Sequence, residues 1–254
     1  MKVNIYNING EAKGEINLPE TFSEEIRPDI IQRAFQSSRA NKRQKYGAKK
    51  RAGMRHSTEQ QGKGQGQARV QRLKQGNNRA AESPQTVGGR KAHPPKAEKD
   101  LGKKINKKEK SKARRSALAA TAVEEFIKGR GHKIENDTLD FPIIVEKGVE
   151  EITKTQEAVD FLKKMDIYSD IERAHEGKKI RAGKGKMRDR KYKKPVSLLV
   201  VLPEGSDGLN AFSNLAGVTA KTPERVTIDD LAPGGNPGRL TLFSVKSINM
   251  MEDW

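Results

Sequence analysis

PVSLLVVLP, residues 195–203, is the stretch that decides the fold. Its apolar run is unbroken from Leu198 to Leu202 and a proline closes each end. A strand with one wet face alternates apolar and polar residues. A continuous run bounded by breakers predicts a strand buried on both faces, as in a parallel sheet covered by helices. Upstream, FPIIV at 141–145 reads as a second short strand. Between them, Thr153 with Gln156 is placed to cap a helix that sets Ala158, Val159, Phe161, Leu162 and Met165 on one face. Ser169 with Glu172 is placed to cap a shorter one. Downstream, Val226–Ile228 and Leu240–Phe243 are further strand candidates, with a helix start between them near Asp229.

The amino end fits the same scheme. Val3, Ile5 and Ile8 alternate loosely before Asn9-Gly10, a strand and hairpin signal. Pro28 suits the first turn of a helix whose Ile30, Ile31, Ala34 and Phe35 share a face, with Ile26 as a staple before them. That helix runs to about Ala40. Asn106 with Glu109 resembles a capping box opening an alanine-rich helix, KKEKSKARRSALAATAVEEFIK at 107–128. Ala113, Ala117, Leu118, Ala120, Phe126 and Ile127 give it a broad buried face, and Gly129 and Gly131 stop it. Strands alternating with helices predict the α/β class: a three-layer sandwich with a mostly parallel sheet.

Not all of the chain belongs to that body. Only 33% of the 254 residues are hydrophobic, which is low for a globular protein. The net charge is +18, which favours polyanions, nucleic acid before anionic membrane. Residues 41–115 alone carry a net +19, and residues 178–194 a further +9, so the remainder is acidic at −10. The first block has seven large apolar residues: Tyr46, Met54, Val70, Leu73, Val87, Leu101 and Ile105. Ordering each residue costs about 1–2 kcal/mol of backbone entropy, which seven side chains cannot offset over 75 positions. Such a segment stays disordered alone or is ordered by a partner. There is no cysteine, hence no disulfide scaffold or thiolate metal site. The amino terminus has no signal-peptide run and no window approaches 18 apolar residues, so the chain reads as soluble and cytoplasmic.

Enzymatic chemistry is hard to place. Gly62, Gly64 and Gly66 lack the strand and helix that a dinucleotide fingerprint needs, and AGKGK at 182–186 lacks the first glycine and the hydroxyl of a phosphate loop. The four histidines show no ligand spacing, so no metal is expected; His56 and His93 sit in basic sequence and read as nucleic-acid contacts or as solvent-exposed. Glu124 and Glu125 read as a solvated helix face. No cofactor is implied. The cationic segments, in contrast, have a coherent chemistry. QGKGQGQARVQRLKQGNN at 61–78 intersperses cations with glycine, glutamine and asparagine and has no acid. Arginine and lysine meet phosphates, glycine lets backbone approach closely, and amides reach base edges or 2′-hydroxyls. Tyr46 is the one aromatic platform, which points to shape-fitting on folded RNA rather than sequence-specific capture of single strands.

Beside the residue-level reading stands a resemblance. KKRAGMRHS at 49–57, RLKQG at 72–76, VGGRKAHPPKAEK at 87–99, KINKKEK at 104–110, RSALAATA at 115–122, GHKIEN at 131–136, KIRAGKGKMRDRKY at 179–192 and LAPGGNPGRLTLF at 231–243 together resemble the large-subunit ribosomal protein L-four family, archaeal/eukaryotic branch. The chain ends shortly after Phe243, without the long extension of eukaryotic members, which favours the archaeal form. The resemblance implies a globular α/β body, residues 1–40 and 106–254, an extended basic loop at 41–105 that penetrates rRNA, and a second basic loop at 178–194. It implies early assembly into the large subunit, neighbouring ribosomal proteins as partners, and a loop tip near Gly66–Gln85 that meets the nascent peptide at the exit-tunnel wall through Gly66, Arg69, Arg72, Lys74, Gln75 and Gly76. Charge and resemblance together assign rRNA contacts to Arg43, Lys45, Lys49, Lys50, Arg51, Arg55, His56, Lys63, Arg69, Arg72, Lys74, Arg79, Arg90, Lys91, His93, Lys96, Lys103, Lys104, Lys107 and Arg114, and in the second loop to Arg181, Lys184, Lys186, Arg188 and Arg190. STEQQGKGQGQA at 57–68 is richer in glutamine than expected and lacks a tryptophan that some relatives carry there. Two other classes stay open at this level: an RNA-modifying enzyme with a basic substrate arm, whose cofactor turn would be APGGNPG at 232–238, and a DNA-packaging protein.

Overall fold

The computed structural model describes residues 1–136, 138–252 and 254. They gather into two compact units, Met1–Arg39 with Lys103–Trp254, and Ala40–Gly102. In chain order the elements are β1 (Lys2–Tyr6), β2 (Ala12–Asn17), α1 (Pro28–Asn41), β3 (Thr58–Gln60), β4 (Gln71–Leu73), α2 (Lys107–Ala119), α3 (Glu124–Gly129), β5 (Ile143–Val145), α4 (Thr155–Lys164) and α5 (Tyr168–Glu176). There follow β6 (Lys179–Ile180), β7 (Tyr192–Lys193), β8 (Leu199–Val201), α6 (Gly208–Ser213), β9 (Thr219–Lys221), α7 (Ile228–Leu231), β10 (Thr241–Ser244) and α8 (Val245–Asn249).

The first unit is mixed α/β, built on a six-stranded sheet of order β2-β1-β5-β10-β8-β9. Only the β1–β2 hairpin is antiparallel; β1–β5, β5–β10, β10–β8 and β8–β9 are parallel. β8 lies inside the sheet, and its alternate residues enter different apolar clusters. Leu198, Val200 and Leu202 pack with Phe161 and Leu162 of α4, Ile171 of α5 and Phe212 of α6. Leu199 and Val201 pack with Ile31 and Ala34 of α1, Ala117 and Leu118 of α2, Leu231 of α7 and Ile248 of α8. Burial on both faces is why the run shows no alternation. Each such side chain contributes about 1.5–3 kcal/mol.

Local chemistry corrects several expectations. The alanine-rich segment is two helices. Thr121 Oγ1 donates to the Leu118 carbonyl at 2.7 Å, and β-branched Val123 is extended at φ −109°, ψ 114°, so α2 gives way to a short 3-10 turn and α3 starts afresh. Asn106 occupies the N-cap of α2, but its side chain caps nothing; Glu109 instead accepts from Arg33 at 2.6 Å. The N-cap of α4 is Lys154 rather than Thr153, and Ser169 lies inside α5, where its hydroxyl points to the Lys133 carbonyl at 3.5 Å. Val226–Ile228 is not a strand. The Asp230 carboxylate accepts from Thr227 N–H at 2.8 Å and from Lys221 at 2.7 Å, which turns Thr227 into the start of α7.

The amino ends of the parallel strands are pinned by a buried polar network. Asp170 accepts from His132 Nδ1 at 3.0 Å, Lys133 N–H at 3.0 Å, Arg173 Nε at 2.8 Å and Ser197 Oγ at 2.5 Å. His132 Nε2 in turn accepts from Leu240 N–H at 3.3 Å, which fixes the proton on Nδ1. Arg239, only 1% exposed, donates to the carbonyls of Ser197, Leu198 and Asp230 and to Thr219 Oγ1. Burial pushes its pKa down to about 10, with Asp230 opposing, so it stays a cation at neutral pH. Burial by itself would raise the Asp170 carboxyl; its bonds to His132, Arg173 and Ser197 outweigh this and hold it far below the usual carboxylate range. Its stabilising contribution is therefore complete above the unfolded value, near pH ~4, and is lost on further acidification. Asp170→Asn, which leaves Arg173 and His132 short of a charged acceptor, is expected to cost about 3–5 kcal/mol in urea unfolding at pH 7. The gap to wild type should narrow below pH ~4.

Candidate nucleic-acid interface

The second unit, Ala40–Gly102, carries a net charge of +12. Neither apolar cluster of the described residues includes a side chain from it, and Ala40 and Ala81 are its only buried apolar residues. Backbone holds it instead. β3 and β4 pair antiparallel with Thr58 opposite Leu73 and Gln60 opposite Gln71, a short sheet that the sequence does not announce. Leu73 N–H donates to the Arg79 carbonyl, Ala81 N–H to Gln71, Arg90 N–H to Glu82 and Ala48 N–H to Pro95. Thr58 Oγ1 donates to the Glu82 carboxylate at 2.7 Å, so this acid is engaged inside the unit.

Two glycines make the close approaches possible. Gly53 has φ +77°, and a Cβ there would lie 2.5 Å from Arg90 N. A Cβ on Gly89 would overlap the Ser83 carbonyl oxygen. Side chains would separate segments that here lie backbone to backbone.

The cations assigned to RNA are almost all on the surface. Arg43, Lys45, Lys49, Lys50, Arg51, Arg55, His56, Lys63, Arg69, Lys74, Arg79, Arg90, Lys91, His93 and Lys96 are exposed in this unit, with Gly66, Gln75 and Gly76 of the expected tip. Arg72 is half-buried and donates through Nη1 to the Asn78 carbonyl at 2.9 Å. Lys50 approaches Glu98 at 3.8 Å, a wet pair. Among the described residues, Arg51, Arg55, Lys63, Arg69, Lys74, Arg79, Arg90 and Lys91 form no ion pair, so their charge is left for an external anion.

In the first unit, Lys103, Lys104 and Lys107 are exposed at the entry to α2. Arg114 is committed elsewhere: its guanidinium sits 3.1 Å from the Trp254 ring centre and donates to the Pro223 carbonyl. The second basic stretch is a hairpin of β6 and β7 closed by a 3-10 turn over Lys184–Met187. Lys184, Lys186, Arg188 and Arg190 are exposed; Arg181 is half-buried and donates to the Arg190 carbonyl at 3.1 Å. Lys179 stands opposite Lys193, and like charges facing across a ladder repel, which a polyanion relieves.

The enzyme reading finds little support in the geometry. APGGNPG precedes β10, so it lies at the amino ends of the parallel strands, whereas α/β cofactors bind at the carboxyl ends. The cleft at the carboxyl ends carries four acids, Glu150, Glu151, Glu204 and Asp207, against two lysines, Lys147 and Lys246, which pair with Glu151 and Glu150, a poor match for phosphate. Ser197, His132 and Asp170 are residue types of a catalytic triad, but Ser197 donates to Asp170 and His132 Nε2 is occupied by a backbone amide. No helix among the described residues is long and apolar enough to cross a membrane. Of the residues that pin the sheet, sequence reading missed Asp170, His132 and Arg239, because a buried network leaves no spacing pattern.

Comparison with known proteins gives one consistent result. The family model described as the ribosomal protein L4/L1 family matches residues 16–254. Among similar relatives are the large ribosomal subunit proteins uL4 of Methanocaldococcus jannaschii, 49% identical over all of this chain and 99% of the relative, and of Thermoplasma acidophilum, 46% identical over 99% and 98%. That of Halobacterium salinarum is 44% identical over 98% of each chain.

Gly89→Ala is expected to weaken binding to structured RNA about tenfold, while Gly62→Ala, where an added Cβ meets nothing within 4 Å, stays within about twofold of wild type. Filter binding measures both, and the thermal midpoint of the first unit should be unmoved in each.

Proposed function

The chain belongs to the ribosomal protein L4/L1 family, and from that premise we propose that it is a structural constituent of the large ribosomal subunit that grips rRNA phosphates, and not an enzyme. The observation that carries this is the separation of charge from core: a unit of net +12 without an apolar cluster, on a chain whose sheet-bearing unit is well packed. Residues 41–105 thread into rRNA, which supplies the order that side-chain burial does not. Gly66–Gln85 reach the exit-tunnel wall, where Gly66, Arg69, Arg72, Lys74, Gln75 and Gly76 meet the nascent peptide. The hairpin of 178–194 makes a second phosphate contact. The body, residues 1–40 and 106–254, is a three-layer sandwich that meets neighbouring ribosomal proteins, and the particle is cytoplasmic. Incorporation is early, because RNA must fold around the threaded segment.

Two measurements test this. With about eight phosphates neutralised, affinity for large-subunit rRNA should fall by about 10³–10⁵ between 50 and 200 mM salt. A flat salt dependence would contradict phosphate grip. Deleting residues 60–85 should leave the thermal midpoint of the body unchanged while altering the tunnel; unfolding of the body would contradict the division of labour.

A further inference from the structure

Within Ala40–Gly102 there is a cavity of about 510 Å³ whose chemistry is unlike the rest of the unit. Its walls are largely small residues from two segments, 46–54 and 88–95, and it includes Met54, Pro94 and Pro95. Lys49, Lys50, Arg90 and Lys91 supply positive charge, and no carboxylate lines it. Tyr46 is part of the lining and the residue is 62% exposed, an aromatic side chain that burial within the chain does not use up. Gly88 leaves open space where a side chain would stand.

We propose that this cavity receives one nucleotide unstacked from the rRNA, its base on the Tyr46 ring and its phosphates among Lys49, Arg90 and Lys91. The inference rests on the rRNA-binding reading and deepens it. A flat uncharged ring joined to an anion is what an apolar slot with a cationic rim and no acid selects. The walls are suited to hold shape around it. Gly53 lies against the Arg90 backbone and Gly47 against that of Pro95–Ala97, which brings the two segments backbone to backbone, and the Ala48–Pro95 backbone bond fixes their register. Phosphate contacts alone would favour cations spread over an open surface; a recess beside an exposed ring adds a place for a base.

The test uses the full chain bound to large-subunit rRNA, as wild type, Tyr46→Phe and Tyr46→Leu. Tyr46 is exposed, so neither change threatens folding. Ultraviolet cross-linking with mass spectrometry should join one nucleotide to the 46–54 or 88–95 segment in wild type and Tyr46→Phe. In Tyr46→Leu that cross-link should fall at least tenfold, the base should become reactive to dimethyl sulfate, and affinity should drop about 5- to 100-fold, the effect of losing one base–aromatic stack. Equal affinity and an unchanged footprint in all three proteins would overturn the inference while leaving phosphate binding intact. A cross-link from this cavity to protein rather than RNA would overturn it as well. Failure of wild type to bind rRNA would be a different result, overturning the proposed function itself.

Discussion

Backbone cannot be ordered without something to offset its entropy, and Ala40–Gly102 contains almost nothing apolar to do so. At about 1–2 kcal/mol per residue, 63 residues carry a cost far beyond what two buried alanines return. The unit instead has backbone-to-backbone contacts at Gly53 and Gly89, a three-residue pair of strands, and a surplus of cations. Each hydrogen bond contributes about 0.5–1.5 kcal/mol net, and the cations repel one another. A polyanion reverses that repulsion. The same charge that opposes order in the free chain favours it once phosphates surround it.

The sheet-bearing unit obeys the opposite economy. β8 and β10 are wrapped on both faces, and the polar groups at their amino ends are satisfied within the protein. Asp170 and Arg239 are charged and buried, so they are stable only because each is met by several partners. This is why residues that look catalytic in type are structural here: every reactive atom of Ser197 and His132 is spent on a neighbour. At the other end of the strands, where α/β enzymes place a phosphate site, the cleft is acidic on balance, with Lys147 and Lys246 paired to Glu151 and Glu150.

Much of this was legible in the residues. The uninterrupted PVSLLVVLP run predicts a doubly covered strand, and Asn9-Gly10 and Pro28 mark the hairpin and the helix that follow them. Periodicity and turn chemistry are local, and they report reliably on local structure. Differences arise where a single side-chain bond or a β-branched residue, near or far in sequence, overrides the local pattern. Val123 breaks the alanine-rich helix, Asp230 recruits Thr227 into a helix start, and Glu109 leaves its capping role for Arg33. Arg114 reads as one more cation of a basic run, and its packing on Trp254, 140 positions away, is not visible in that run. The interface was visible as charge without core; its cavity was not, because a recess formed by 46–54 and 88–95 has no signature in either stretch.

Amide hydrogen exchange on the free chain and on the rRNA-bound chain tests the central claim most directly. Amides of residues 41–102 should exchange at close to unprotected rates in the free protein, while those of β8 and β10 stay protected, and binding should slow the former by orders of magnitude. Protection of 41–102 in the free protein equal to that of the sheet would contradict it.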